Sequence, residues 1–555
     1  MAQATANRKG SETTLFLRKA TGLVRAWSVF DAFIYAFFSI NLITLGLYSF
    51  SQMYYFEGGL LPTLFVSAAF IIFEVVAYAG LIAVMPRAGG DYVWQSRILG
   101  GGIGFVLAVT GWWFILWLWV PLYADMLRQI FFTPLLGILG ASEAALWFSQ
   151  TPLGLFVSAL VTCAFVTFYI AIGMKAYSRI QKACFWVSIV ALLVVFAFLL
   201  FGSHETFQQG LAQAKDMFGA QAADLYADTQ AAGEAAGAVA GAAGLWGTGV
   251  WVIFLAIPYM VFFNLWPNWG ATLYGEVRGA TDFKRNFWGM ASALIITTVL
   301  GAIFFLLIDK TIHWDFYMNA NGAWWNYRWG YTEAVPPLPI WPYPALLAVF
   351  MTTSRVLQFI IILAMSMWWF GWSGTVFLSS TRVIFAAAFD RLLPEKVAEV
   401  DARTRTPIYA LLLMVIPSLI VSALFAWNIF NFQSLTLCST LVIAVTYLGS
   451  TVAAILLPYV KPDLYNASPI AQYKVGGVPL ITIAGIIFGG FLVFLLYEWI
   501  VDPNQLYGIG YRNTSSMIYM GAMYVLALVI YLGFRFYRKR QGIDVDKIYQ
   551  EIPVE

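Results

Sequence analysis

The chain has 555 residues, of which 61% are hydrophobic and only 11% charged, with a mean hydropathy of +0.77. That balance excludes a set of water-soluble domains, because most of the chain must have lipid as its solvent. The net charge of +3 is spread over many segments rather than gathered on one face, which excludes a nucleic-acid footprint.

A hydrocarbon core about 30 Å thick takes roughly 20 apolar residues per helix. Runs of that kind predict about twelve transmembrane helices, at residues 28–50, 61–85, 103–122, 153–173, 183–202, 248–269, 287–308, 345–378, 408–427, 434–459, 478–500 and 515–536. A backbone in lipid must satisfy its own hydrogen bonds, and the ten-residue alternation of a membrane barrel is absent, so the expected fold is an all-α polytopic bundle. Residues 1–27 are polar and basic, with no short apolar core ahead of a small-residue cleavage site; the first helix is expected to stay as an anchor. Twenty-five of the 31 Lys and Arg residues fall on the side of the two termini, all but Arg128, Lys215, Lys310, Arg328, Arg355 and Arg512. By the positive-inside rule both termini are cytoplasmic, in a multi-pass protein of the cell membrane.

Two external segments interrupt the short loops. Residues 203–247 are acidic and rich in Ala and Gly (QAADLYADTQAAGEAAGAVAGAAG), which fits a short amphipathic helix or a flexible loop. Residues 309–344 carry Trp314, Trp324, Trp325, Trp329 and Trp341, which read as a headgroup-level aromatic belt or as a docking surface for a membrane protein partner. The tail, residues 537–555, is too short for a further domain. Cys163, Cys184 and Cys438 lie in or beside spans at no metal-ligand spacing, and the only histidines, His204 and His313, lie at span ends. No metal site or cofactor is expected, nor a nucleophile, base and orienter for catalysis.

Asp31, Glu74, Asp125 and Arg355 fall within or at the edge of spans, where a charge is paired or lines a cavity. Glu74, mid-helix in FIIFEVVAYAG, has two readings: an ion pair with Arg355, or a proton-coupling group. Asp31 suits the positive end of the first helix dipole, as a cap or an inner-gate contact. Asp125 is expected near the outer interface.

Four stretches carry a resemblance. MPRAGGDYV at residues 85–93 follows the second span, GMKAYSRIQK at 173–182 precedes the fifth, YGEVRGATDFKRNFWG at 274–289 follows the sixth, and SSTRVIFAAAFDRLLPEKVAEVDARTRTPIYA at 379–410 follows the eighth. In order and spacing they resemble the loops of the amino acid, polyamine and organocation permeases, over roughly residues 25 to 460; the prolines usual after the sixth helix are missing. The resemblance implies two inverted five-helix repeats, residues 28–202 and 248–459, with helices one and six broken at midplane and two further helices at 478–536. At such breaks, freed N–H groups suit a carboxylate and freed carbonyls suit an ammonium or Na+.

The first helix reads FFSINLITLG where the family usually has G-S-G, so Ser39, Asn41, Leu42 and Thr44 are the binding candidates there and Gly46 is the only glycine. In the sixth, FFNLWPNWG aligns Phe262 with the family's gating aromatic and Asn268 with a pocket-lining polar position. Phe263, Asn264, Leu265 and Trp266 lie between them, and Trp269 follows. Pro267 favours a break at this level. The fifth-helix lysine of many proton-coupled relatives is replaced by Ser188, so Ser188, Ser373 and Thr375 become candidate Na+ oxygens, while Glu74 remains the candidate for H+. The implied function is a secondary active transporter, or permease, for amino acids or related amines, working by alternating access on a small-molecule substrate. Polyamines or other organic cations are an alternative substrate class. A non-transporting solute sensor or membrane-embedded structural subunit is the alternative from another class.

Overall fold

The structure, a computed structural model, describes residue 23, residues 25–435 and residues 438–552, so most of the expected N-terminal segment and part of the tenth expected span lie outside the described residues. Twelve helices are long and apolar enough to cross a membrane: Val29–Ser51, Leu60–Val84, Gly101–Ile138, Pro152–Ala171, Met174–Phe201, Val250–Glu276, Phe283–Thr311, Arg355–Phe389, Ile408–Ala426, Cys438–Val460, Leu480–Val501 and Thr514–Arg540. They are called the first to the twelfth span below. The only strands among the described residues form a two-stranded ribbon, Lys474–Val475 with Val478–Pro479.

Local chemistry starts the helices where polar residues meet apolar runs. Ser28 and Asp31 form a reciprocal capping box at the first span, Thr151 caps the fourth with Pro152 at its first position, and Asp282 caps the seventh. The eighth span begins at Arg355, about a turn and a half beyond residue 350, not at residue 345. Pro344–Val349 is a separate short helix, and Ser354 caps the new start by accepting from the Leu357 amide.

Burial ranks the spans from centre to rim. The apolar window of the first span is 83% buried and that of the twelfth 17%, so the first span runs through the middle of the bundle while the twelfth faces lipid. The third span is irregular at its centre: a π turn at Thr110–Phe114 runs into a 3-10 turn at Ile115–Leu118, with a second π turn at Arg128–Phe132. Such turns recur at functional sites because they displace side chains from the helical register.

Opposite the described chain ends sits a helical cap. Residues 203–247 form short helices, including Leu225–Ala235, which packs along Trp314–Arg328. The Ala/Gly bias has a steric cause. A Cβ on Gly233 would come within 2.2 Å of the Asn319 carbonyl oxygen, and one on Gly322 within 2.8 Å of the Ala238 methyl, so two backbones touch where larger side chains would part them. Neither sequence reading of the tryptophans holds for Trp314, Trp324, Trp325 and Trp341. Each is at most 2% exposed, packed into the bundle rather than presented to headgroups or to a partner. Trp325 and Trp341 both donate their indole N–H to Ser51 Oγ, at 3.0 and 3.1 Å, which ties the cap to the end of the first span.

Candidate functional site

The first and sixth spans are both interrupted. In the first, the α-helix ends at Ile40, Asn41 takes a left-handed conformation with φ of 46°, and a π turn over Leu42–Gly46 follows. Asn has the side chain for this backbone, because its amide bonds locally. Asn41 Oδ1 accepts the Thr44 amide at 3.0 Å, and its Nδ2 reaches the Trp368 carbonyl at 3.4 Å. The break is therefore built without the family's glycine pair. Gly46 serves the packing instead. At φ of −63° it needs no glycine freedom, but a Cβ there would lie 2.8 Å from the Phe263 ring. It lets the first and sixth spans approach.

The sixth span is α-helical over Val250–Asn264, unwinds through residues 265–268, and resumes as a 3-10 helix over Trp269–Glu276. Pro267 contributes no N–H, and the groups freed nearby are met by side chains. Trp266 Nε1 donates to the Phe262 carbonyl at 2.6 Å, Trp269 Nε1 to the Thr375 carbonyl at 3.1 Å, and Asn264 Nδ2 to Ser67 Oγ at 2.7 Å. Asn268 differs. It is fully buried, and its carboxamide meets only the Tyr447 hydroxyl of the tenth span.

Beside the breaks, toward the cap, lies a cavity bounded by the first, third, sixth, eighth and tenth spans. Tyr48, Gln52, Trp119, Tyr123, Phe262 and Trp372 form much of its wall, and Ser49, Ser439 and Thr440 give it hydroxyls. Tyr123 and Trp372 stack with ring centroids 3.6 Å apart, and Trp119 stacks on Trp269 at 5.4 Å, which joins this wall to the sixth-span break. The empty space is about 440 Å³, but only about 30 Å³ of it is wide enough for the centre of a water molecule. The site is contracted, and a solute larger than water needs its aromatic walls to move apart. No acidic or basic residue lines it.

Of the binding residues read from sequence, Phe262 is part of this wall. Ser39, Asn41, Leu42, Thr44, Phe263, Asn264, Leu265, Trp266 and Asn268 are all buried at the two breaks but do not line the cavity. Trp119, Tyr123 and Trp372 were missed. The available signal was the Trp119 and Tyr123 pair, one turn apart on a single face, with Trp372 just ahead of Ser373 in FGWSGT. The three Na+ candidates make separate contacts: the Ser188 carbonyl accepts the Trp368 indole at 3.2 Å, Ser373 Oγ bonds back to Phe370, and Thr375 Oγ1 lies 3.3 Å from the Tyr123 hydroxyl.

The charges correct two expectations. Glu74 does not pair with Arg355; it is fully buried in the second span, with no hydrogen-bond partner for either carboxylate oxygen among the described residues. Asp125 is not interfacial. It is 2% exposed, accepts the Tyr48 hydroxyl at 2.7 Å and Arg128 Nε at 2.7 Å, and lies 3.6 Å from Arg328 of the cap. Asp31 has its capping role and an added ion pair with Lys182 at 2.7 Å. Near the chain ends, Arg382 grips Glu276 through Nε at 2.7 Å and Nη2 at 3.2 Å, and Arg97 grips Asp390 at 2.6 and 2.9 Å. Buried ion pairs thus lie on the cap side, at Asp125, and near the chain ends, at Glu276 and Asp390.

Twelve spans among the described residues, two of them broken side by side next to a narrow aromatic cavity, support a polytopic membrane transporter. A family profile described as amino acid permease matches residues 28–529, and the chain belongs to that family, within the amino acid, polyamine and organocation superfamily. No curated protein sequence matches it.

Proposed function

We propose that the chain is a secondary active transporter of amino acids or related amines with apolar or aromatic side groups, working by alternating access. The observation that carries this reading is the narrow aromatic cavity against two broken spans, with buried ion pairs on the cap side and near the chain ends. An aromatic wall accepts apolar surface and the face-on approach of a single ammonium group. A wall without carboxylates offers nothing to the several charges of a polyamine, which counts against that alternative.

The site is then the cavity wall together with the breaks: Asn41 and Thr44 on one side, Phe262, Trp266 and Asn268 on the other. In this reading residues 28–202 and 248–459 are inverted repeats, both termini are cytoplasmic in the cell membrane, and the coupling ion is H+ or Na+. Uptake of radiolabelled amino acids and amines into proteoliposomes tests it. The expected result is saturable uptake of solutes with apolar or aromatic side groups, cut about tenfold or more by Trp372→Ala through the loss of stacking surface. Flux of no solute, combined with solute-dependent thermal stabilisation, would replace transport by the sensor alternative.

A further inference from the structure

Asp31, Asp125 and Glu276 each meet a cation inside the bundle, and Glu74 does not. What surrounds it is a polar line that leads to the sixth-span break. One turn along the second span, Tyr78 donates to Asp91 Oδ1 at 2.7 Å, and Ser450 of the tenth span donates to the same oxygen at 2.6 Å. The Tyr78 ring meets Tyr447 of the tenth span edge-on at 5.6 Å, and Tyr447 lies against Asn268 in the unwound segment. Both oxygens of Glu74 are buried and without hydrogen-bond partners among the described residues, while the Tyr447 hydroxyl and the Asn268 carboxamide are buried against each other. A buried carboxylate with no donor and no cation calls for an explanation.

The charges around Glu74 can be taken element by element. The second span packs against the sixth, seventh, tenth and eleventh, and against the uncharged turn Pro469–Gln472. The sixth offers Glu276, already bound to Arg382; the seventh has no charged residue between Arg285 and Asp309; the eleventh has only Glu498, near its far end. The tenth contributes Tyr447 and no charge, and the segment after the second span contributes Asp91. Glu74 therefore faces another carboxylate and no cation. Two carboxylates in one dry site do not both ionise, and their environments divide the roles. Asp91 has two hydroxyl donors that stabilise its anion; Glu74 has none. Burial still pushes the Asp91 carboxyl up to about 6, against the pull of the Ser450 and Tyr78 hydroxyls.

We propose that Glu74 carries the coupling proton of the transport cycle, and that Tyr447 and Asn268 transmit its protonation state to the broken sixth span. A proton binds the Glu74 carboxylate from one side of the membrane and leaves from it to the other, and no other bond changes. With the proton absent, Glu74 carries a charge that Tyr447 and Asn268 can turn toward; with it present, that charge is gone and the cluster stays closed. The proposal rests on the transport reading above.

Two measurements test it separately. In reconstituted protein without solute, infrared spectroscopy at neutral pH is expected to show the C=O band of a buried carboxylic acid that Glu74→Gln removes and Asp91→Asn retains. The same band in Glu74→Gln would overturn the assignment. With a solute from the uptake screen, an imposed pH gradient is expected to drive accumulation without Na+, and Glu74→Gln to lose about tenfold or more of that drive. Equal response of wild type and Glu74→Gln to the gradient, or strict dependence on Na+ with none on pH, would overturn the coupling role. Flux of no solute in the wild type would overturn transport and coupling together, while the infrared band still decides whether Glu74 holds a proton.

Discussion

The Glu276–Arg382 pair offers the sharpest test of how the bundle is closed near the chain ends. Both side chains are at most 1% exposed, and the guanidinium meets the carboxylate with two donors, at 2.7 and 3.2 Å. The same corner holds the main chain: the Glu276 carbonyl accepts the Trp27 amide at 3.1 Å, and the Trp27 indole donates to the Met174 carbonyl. Sixth span, eighth span, fifth span and N-terminal segment converge on one buried charge pair. Arg382→Met leaves the Glu276 carboxylate buried with no cation, and removing one partner of such a pair costs about 3–5 kcal/mol. At about 1.4 kcal/mol per factor of ten, that is a loss of roughly two to three and a half powers of ten in the folding equilibrium. The double variant Glu276→Leu/Arg382→Met removes both charges, and replacement of a whole buried pair is close to neutral or stabilising. Unfolding of purified protein titrated with a denaturing detergent should therefore rank the double variant well above Arg382→Met. Two equal variants, or a single-variant loss under about 1 kcal/mol as for a solvated surface pair, would refute the reasoning.

Gly46→Ala should cost about 1–3 kcal/mol, because its methyl would sit 2.8 Å from the Phe263 ring in a packed core. Part of that loss should return in Gly46→Ala/Phe263→Val, measured in the same unfolding titration; no recovery would mean that the glycine is needed for something other than the approach of Phe263. The histidines of the cap should make stability pH-dependent. His204 stacks on His313 with ring centroids 3.5 Å apart, and burial holds its imidazole below the ordinary value, aided by His313 and opposed by the Thr311 carbonyl. A lowered pKa in the folded state means that the unfolded chain binds the proton more readily, so stability is full above the unfolded value of 6.5 and is lost as pH falls through the folded one. Thermal melting should fall on acidification from about pH 7 to about pH 5, and His204→Gln should flatten that slope. An unchanged slope would remove the histidine stack as its cause.

The spans were legible because lipid makes a uniform demand, and a run of about 20 apolar residues can hardly be anything else. The eighth was misplaced at its start because Pro344–Val349 is apolar enough to read as its first turns, while the polar residues 352–354 that break the chain make a signal too short to outweigh it. The cap tryptophans show a limit of another kind. Composition says that Trp325 and Trp341 are amphipathic rings at the end of a membrane span, but whether such a ring meets headgroups or Ser51 depends on a second segment folding over it. The breaks were expected from the family resemblance, with Pro267 as local support for the sixth; that Asn41, read only as a binding residue, makes the first break through its left-handed backbone is a finding of the structure. The cavity wall was not, since Trp119 and Tyr123 in a chain with 23 Trp, 29 Tyr and 46 Phe look like all the other packing aromatics until the third span bends around them. Glu74 stood out as an intramembrane carboxylate, but its lack of a partner is a tertiary fact.

The placement of the ion networks bears on how such a bundle could open at either end. On the cap side, Asp125 gathers Tyr48 from the first span, Arg128 from the third and Arg328 from the cap, and Ser51 is held by two indoles. On the other side, Arg382 and Arg97 hold Glu276 and Asp390. A buried ion pair contributes little net free energy, because the attraction mainly offsets the cost of desolvating both charges. If water enters as the pair separates, that desolvation cost is returned, so parting the charges into solvent is far cheaper than deleting one of them in a dry core. Apolar clamps of the same area would have to expose their whole surface, at about 25 cal/mol per Å², with nothing returned. Ion pairs rather than hydrocarbon at both ends therefore lower the cost of parting either one into water, which is what the alternating access proposed above requires.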